Sequence, residues 1–214
     1  MTLIVAIHVD DYLILTGDHR LTLECQPHTN LPEKIFQDGY KKIKYFKYGA
    51  ITVSGDVILM EYFFDLLQRY TEQNNWNFIE IAQVARQLFI ESGRDPISAK
   101  GTAFFTVQTF NQVQLIALYI REKEIEYETI PDMHAYFALF AGTPVDPIYQ
   151  IFANSLRKVD KFAHLEDFYN YHLALIKQFY KRQQSFDSSI TASFDLYIQH
   201  KKTGKAAITT IFND

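Results

Sequence analysis

Cysteine is almost absent. Cys25 is the only one in 214 residues, which rules out an internal disulfide and any zinc site built on paired thiolates. An excess of charge of one sign is lacking too. With 21 Lys and Arg against 25 Asp and Glu, a net charge of −4, the chain has neither the basic face of a nucleic-acid binder nor a polybasic membrane anchor. No apolar run reaches the roughly 18–20 residues a bilayer span requires. The N-terminus carries no positive region followed by an apolar stretch and a small-residue cleavage site, so no signal peptide is expected. The seven histidines show no metal-ligand spacing; His19, His134 and His172 read as surface or packing residues, and no cofactor or metal is expected. The G-x-S-x-G elbow that would go with a Ser-His-Asp triad is missing. Together these absences point to a soluble, cytoplasmic protein with no nucleic-acid or membrane partner.

What is present is a large apolar share, 48% of residues, with 18 Phe and 14 Tyr. That is enough for a sizeable core, and the rings suit both a core and contacts between subunits. The chain opens on a short β-branched run, Thr2 to Val9, then an Asp10-Asp11 turn and a returning strand, Tyr12 to Thr16, which together read as a hairpin. Residues 17–40 are polar and broken by Pro27 and Pro32, a loop with some extended structure. Strands follow at 42–47 and 49–54. The period then becomes helical: Val57, Met60, Phe63, Phe64, Leu67 and Tyr70 recur at steps of three and four, behind a Ser54-Gly55-Asp56 start suited to a helix N-terminus. A second helix is expected over 77–92, ending at Gly93. Strands at 102–110, 113–120, 125–130 and 136–142 come next, then helices at 147–159 and 165–182. Strands at 191–200 and 206–212, joined by a Lys202-Thr203-Gly204 turn, close the chain. Runs of strands alternating with pairs of helices predict an α+β fold, stacked sheets covered by helices on both sides, with residues 1–214 as one domain.

The local residues carry a resemblance. Thr2-Leu-Ile-Val-Ala-Ile7 followed by Leu13-Ile-Leu-Thr-Gly-Asp18-His-Arg20-Leu-Thr22 is similar to the opening strands of proteasome β-subunits, which end in a D-x-R-x-T signature. The stretch from Lys42-Ile43 to Ser54-Gly55 resembles the same family's K-I segment leading to its S-G turn and first helix. The chain thus resembles the proteasome β-subunit and HslV-type family of N-terminal-nucleophile hydrolases, with the bacterial Anbu-like branch as one candidate within it. The resemblance implies a four-layer αββα sandwich and a threonine-type endopeptidase. It also implies peptide or unfolded-protein substrates, a homo-oligomeric ring that encloses its active sites, and an ATP-driven unfoldase that could feed it. A catalytically silent structural or binding subunit and a small-molecule amidohydrolase are the alternatives on the same fold.

The resemblance assigns roles. A threonine hydroxyl needs a base, and the free amine of the same residue can serve only when threonine comes first; its reference pKa of about 8 lets it accept and return a proton near neutrality. Thr2, directly behind Met1, is the candidate nucleophile. Asp18 and Lys42 would form the charge pair beside it that favours the neutral amine and the alkoxide. Lys34 fits gapless counting from Thr2 but lies in the Pro-bounded loop. Gly55 would offer its N–H to the oxyanion at a helix start. Arg20 and Thr22 join the substrate-binding side, Thr22 and Gly55 along an extended substrate backbone, with Val53 and Val57 lining an apolar pocket for the side chain before the scissile bond. The later part departs from the family pattern. Phe140-Ala-Gly-Thr143 stands where the family has G-S-G, and the family's D-x-x-S-G falls near Phe186-Asp-Ser-Ser-Ile190, where Asp187 and Ser189 are the candidates and the glycine is missing. The sequence predicts a mature chain that begins at Thr2: the intact mass of purified protein should be short by one methionine residue, and a retained Met1 would leave the amine capped.

Overall fold

The computed structural model describes residues 3–24, 34–72, 77–139 and 147–213. The first strands are buried on both faces. β1 (Ile4–Val9) and β2 (Tyr12–Asp18) are buried at every position, so they read as unbroken apolar runs rather than as alternating ones. Period two divides their side chains. Leu3, Val5, Ile7 and Val9 face one core, while Ile4, Ala6, Leu13 and Leu15 face another. A strand with this double burial must lie inside a stack of layers.

That stack has four layers. One five-stranded antiparallel sheet has the order β10-β1-β2-β11-β12, with β10 (His134–Ala138), β11 (Phe194–His200) and β12 (Ala206–Ile211). The second runs β5-β6-β7-β8-β9, from β5 (Ile43–Phe46) and β6 (Gly49–Gly55) through β7 (Gly101–Gln108), β8 (Val113–Ile120) and β9 (Ile125–Thr129). Helices α1 (Val57–Glu72) and α2 (Phe78–Glu91) cover the second sheet around Phe63, Leu67, Ile81 and Phe105. Helices α3 (Ile148–Asn154) and α4 (Leu165–Phe186) cover the first around Phe152, Phe168, Ile176 and Phe179. The sheets meet face to face through Ile4, Leu15, Ala50, Phe104 and Tyr197. The α+β expectation of helix-covered stacked sheets is met, and no helix among the described residues is long and apolar enough to cross a membrane.

Local chemistry sets the junctions. Val9 pairs with Tyr12, leaving Asp10-Asp11 as the turn, and Asp10 takes φ +58°, a left-handed state that aspartate tolerates. Asp56 caps α1, its Oδ1 accepting the N–H groups of Ile58 at 2.9 Å and Leu59 at 3.3 Å. Asn77 caps α2 through the Glu80 N–H at 3.1 Å. The 17–40 loop holds more order than its prolines suggest: β3 (Leu21–Glu24) and β4 (Lys34–Gln37) pair as a two-stranded ribbon. The helix expected at 147–159 ends at Asn154. There the Ser155 hydroxyl bonds back to the Ile151 carbonyl at 2.7 Å, and the Val159 N–H turns to the Asp10 carboxylate at 3.0 Å. Tertiary partners capture a segment whose apolar period alone would have continued. The fourth helix conversely runs on to Phe186.

The surplus of rings on the helices is largely absorbed within the chain. Phe63 is fully buried and Tyr62 and Phe64 lie half-buried against the same core. On α4, Tyr169 meets the edge of Tyr12 at 5.5 Å between centroids, and the Tyr171 hydroxyl donates to the Ser155 carbonyl at 2.7 Å. His172 is buried among Phe162, Phe168 and Tyr171, so it packs, as expected. Its Nδ1–H donates to the Phe168 carbonyl at 2.9 Å, which leaves Nε2 to accept the Arg157 N–H at 3.4 Å. Burial pushes this imidazole below its ordinary 6.5. The unfolded chain therefore takes up a proton near pH 6.5 that the folded chain refuses until lower pH. Stability should be fully present above that value and fall as pH drops through it toward the lower folded value. Urea unfolding at pH 7.5 and 5.5 checks this: His172→Leu should flatten that part of the dependence, and an unchanged slope would remove His172 as its cause.

Candidate functional site

Asp18 ends β2 with no exposed surface, and a buried carboxylate persists only where charge and donors surround it. Four groups do so. The Lys42 ammonium forms a close ion pair with Oδ1, and the Leu3 N–H reaches the same oxygen at 2.9 Å. The N–H groups of Arg20 and Thr191 reach Oδ2 at 3.0 and 3.4 Å. Lys42 is itself 4% exposed. Burial pushes its pKa below 10.5, against the pull of Asp18, and the nearby Arg20 charge pushes the same way as burial. Gly17 makes room for it, because a Cβ there would stand 2.9 Å from the Cβ of Lys42. Asp18 and Lys42, paired in the reading of the sequence, are thus in contact.

The preceding lysine grips a second buried aspartate. Lys41 Nζ donates to Oδ1 of Asp195, on β11, at 2.8 Å, and the Thr210 hydroxyl donates to the same oxygen at 2.7 Å. His19 Nε2 stands 3.0 Å from that oxygen. Burial would raise the Asp195 carboxyl, yet His19, Lys41 and Thr210 hold it down to about 2. His19 is buried beside this aspartate rather than at the surface. Nothing in the spacing of Asp195 marked it, since it reads as one polar residue in an apolar strand.

Beside Lys42 the chain forms a small pocket of about 30 Å³, lined by Leu21, Val53, Gly55, Val57, Met60 and Glu61 together with Lys42 and Tyr40. Four of the residues singled out in the sequence, Lys42, Val53, Gly55 and Val57, therefore share one wall. Gly55 takes φ +138°, and a Cβ on it would lie 2.5 Å from both the Gly101 Cα and the Lys100 carbonyl oxygen. No other residue fits this strand-to-helix junction. A larger cleft of about 690 Å³ opens on the other side, sharing Ser54 and Gly55 with the junction and bordered by Lys100, Tyr119 and Arg121. The pocket is not wholly apolar: Glu61 Oε1 accepts the Tyr40 hydroxyl at 2.7 Å and the Lys44 ammonium at 2.5 Å. Burial first, then Glu61, pushes the Tyr40 phenol well above its usual range. Glu61 was legible in principle, standing one helical turn after Val57; Tyr40 gave no signal.

The remaining candidates are distributed otherwise. The Arg20 guanidinium turns to Asp38, with Nη2 to Oδ2 at 2.7 Å, and to the Ser188 carbonyl, while its ring-facing side covers Phe36. Thr22 sits in the β3–β4 ribbon opposite Phe36, and its buried hydroxyl has no hydrogen-bond partner among the described residues. Asp187 follows α4 and accepts both the N–H of Ser189 at 2.9 Å and its hydroxyl at 2.5 Å. It shapes the turn that delivers Thr191 to Asp18. Thr2 and Thr143 lie outside the described residues. Among the described residues no cluster of His, Cys, Asp and Glu has metal-holding geometry.

No family model and no curated protein matches the chain in sequence. Solved structures do match in shape. A Gly-1 mutant of Anbu from Hyphomicrobium sp. strain MC1 superposes with a TM-score of 0.66 over 100% of this chain and 88% of that one, at 13% identity. A structure of Anbu from the same strain gives 0.63 over 99% and 88%, again at 13% identity. The likeness shows that this chain shares the fold of Anbu, two stacked antiparallel sheets covered by helices on both sides.

The buried pair yields a stability prediction. Lys42→Ala leaves the Asp18 charge with backbone donors alone and should destabilise the fold by about 3–5 kcal/mol. Lys41→Ala, whose side chain is 60% exposed, should cost less than about 1 kcal/mol. Denaturant midpoints decide it, and equal losses would contradict the asymmetry.

Proposed function

We propose that this chain is a threonine peptidase whose nucleophile is the hydroxyl of Thr2, freed by removal of Met1. The observation that carries the reading is the grip on Leu3: its N–H and the Lys42 ammonium share one oxygen of Asp18, and Leu3 is the residue covalently joined to Thr2. In this reading the Thr2 α-amine takes the hydroxyl proton as the oxygen attacks a peptide carbonyl. The Lys42 charge favours the neutral amine and the forming alkoxide. The tetrahedral oxyanion is met by the Gly55 N–H at the start of α1. Collapse passes the proton to the leaving amine and leaves an ester, which water, activated by the same amine, then hydrolyses. Val53 and Val57 receive the side chain before the scissile bond, and the unpartnered Thr22 hydroxyl faces the substrate backbone. Arg20 acts as a brace through Asp38, and Asp187 orders the Ser189 turn. The protein works as a homo-oligomeric ring, supported by apolar side chains exposed on the outer helices: Ile151 at 57%, Leu165 at 43% and Phe186 at 65%. An ATP-driven unfoldase is a fitting partner for such a chamber.

A silent subunit of the same fold is the second reading. What favours it is Ile190, fully buried where the family pattern has the glycine after its serine. Two experiments separate the readings. Thr2→Ala should abolish hydrolysis of a reporter peptide and labelling by a threonine-directed epoxyketone, while Thr2→Ser keeps part of the rate; an Ala variant as fast as the parent would exclude Thr2. Lys42→Ala, assayed where it remains folded, should cut turnover by orders of magnitude while Lys34→Ala stays near normal. Light scattering at micromolar concentration should give a mass several times 25.0 kDa, and a clean monomer would refute the chamber.

A further inference from the structure

Tyr180, on α4, is fully buried and lies far from Leu3 in sequence, yet its hydroxyl reaches that residue. The ring stacks on Phe194 at 4.4 Å between centroids and 15° between planes, so its orientation is fixed by packing. The phenol donates to the Leu3 carbonyl at 3.3 Å. Having given its only proton there, it accepts from the Thr16 hydroxyl, 2.8 Å away. Thr16 and Asp18 stand two residues apart on β2, on one face of the strand, so the hydroxyl pair and the carboxylate approach Leu3 from the same layer.

Leu3 is consequently held at each of its backbone groups. Its N–H is on Asp18 Oδ1 at 2.9 Å, and its carbonyl accepts both the Asp18 N–H at 3.1 Å and the Tyr180 hydroxyl. The Asp18 side supplies the charge; the Tyr180 side supplies a rigid stop. Without the phenol, the Leu3 carbonyl would keep only the bond from the Asp18 N–H, and misplacement of a reacting group by about 1 Å can cost on the order of a hundredfold in rate.

We propose that Tyr180 is a positioning residue: through Thr16 and Leu3 it fixes the N-terminal segment, and so the Thr2 amine and hydroxyl, against Asp18 and Lys42. This rests on the reading of Thr2 as nucleophile, and the test separates the two. Tyr180→Phe keeps the stack on Phe194 and deletes only the hydroxyl, so the variant should fold. Thr16→Val removes the donor to Tyr180 but leaves the Tyr180–Leu3 bond, and should act more weakly. Hydrogen exchange is followed in peptides covering residues 3–9 and 13–20, beside kcat and KM on a reporter peptide. In Tyr180→Phe the exchange of both segments should accelerate while the second sheet is unchanged, and kcat should fall tenfold or more with KM within twofold. Unchanged exchange overturns the proposal whether or not the chain is active. Accelerated exchange with unchanged kcat also overturns it, because the hold would then not serve the reaction. If the parent protein hydrolyses no peptide, the functional reading fails, and exchange alone decides whether Tyr180 fixes the segment.

Discussion

The geometry at the N-terminal end depends on the burial of one carboxylate. Asp18 has no water to solvate it, so every donor within reach is committed: an ammonium from the segment before β5 and backbone N–H groups from Leu3, Arg20 and Thr191. These belong to parts of the chain far apart in sequence. The carboxylate therefore fixes where the first strand starts, where the ribbon leaves the sheet, and where the turn after α4 returns. Removing water from a charge makes its partners obligatory, and that obligation lets so short a stretch of sequence define a site between two sheets.

Two glycines are the steric counterpart of this electrostatic constraint. Gly17 lets β2 pass the Lys42 side chain, and Gly55 lets the end of β6 lie against the Lys100–Gly101 backbone. A methyl group at either would push apart the sheets or the strands that the ion pair draws together. The pocket beside Lys42 follows from these approaches: residues of β6 and α1 around the Gly55 junction, Glu61 among them, line it together with Leu21, Tyr40 and Lys42.

Much of this was legible in the sequence, for identifiable reasons. Short apolar, β-branched runs located the strands and the 3.6 period the helices, because burial on both faces or on one is what those patterns record. The Asp18–Lys42 contact could be anticipated from a local resemblance, since both residues lie next to strand ends whose order was readable. The Asp195 cluster, Tyr40 and the Tyr180 hydroxyl were not legible: each becomes significant only through a partner more than fifteen residues away. The β3–β4 ribbon was hidden by the prolines between its strands, and α3 stopped early because the Ser155 hydroxyl takes the Ile151 carbonyl of the last turn and the Val159 N–H turns to Asp10. Propensity sees neighbours along the chain and is blind to such partners.

Lys41 and Lys42 are consecutive, and they hold Asp195 on β11 and Asp18 on β2. Successive side chains of an extended segment point to opposite sides, so the dipeptide works as a keyed joint with one correct seating. Sliding the segment by a single residue would present each ammonium to the wrong side and strand both carboxylates at once. A chain whose sheets had each folded but not yet closed would hold Asp18 on its backbone donors without the Lys42 ammonium, so the ion pair is completed only as the sandwich closes.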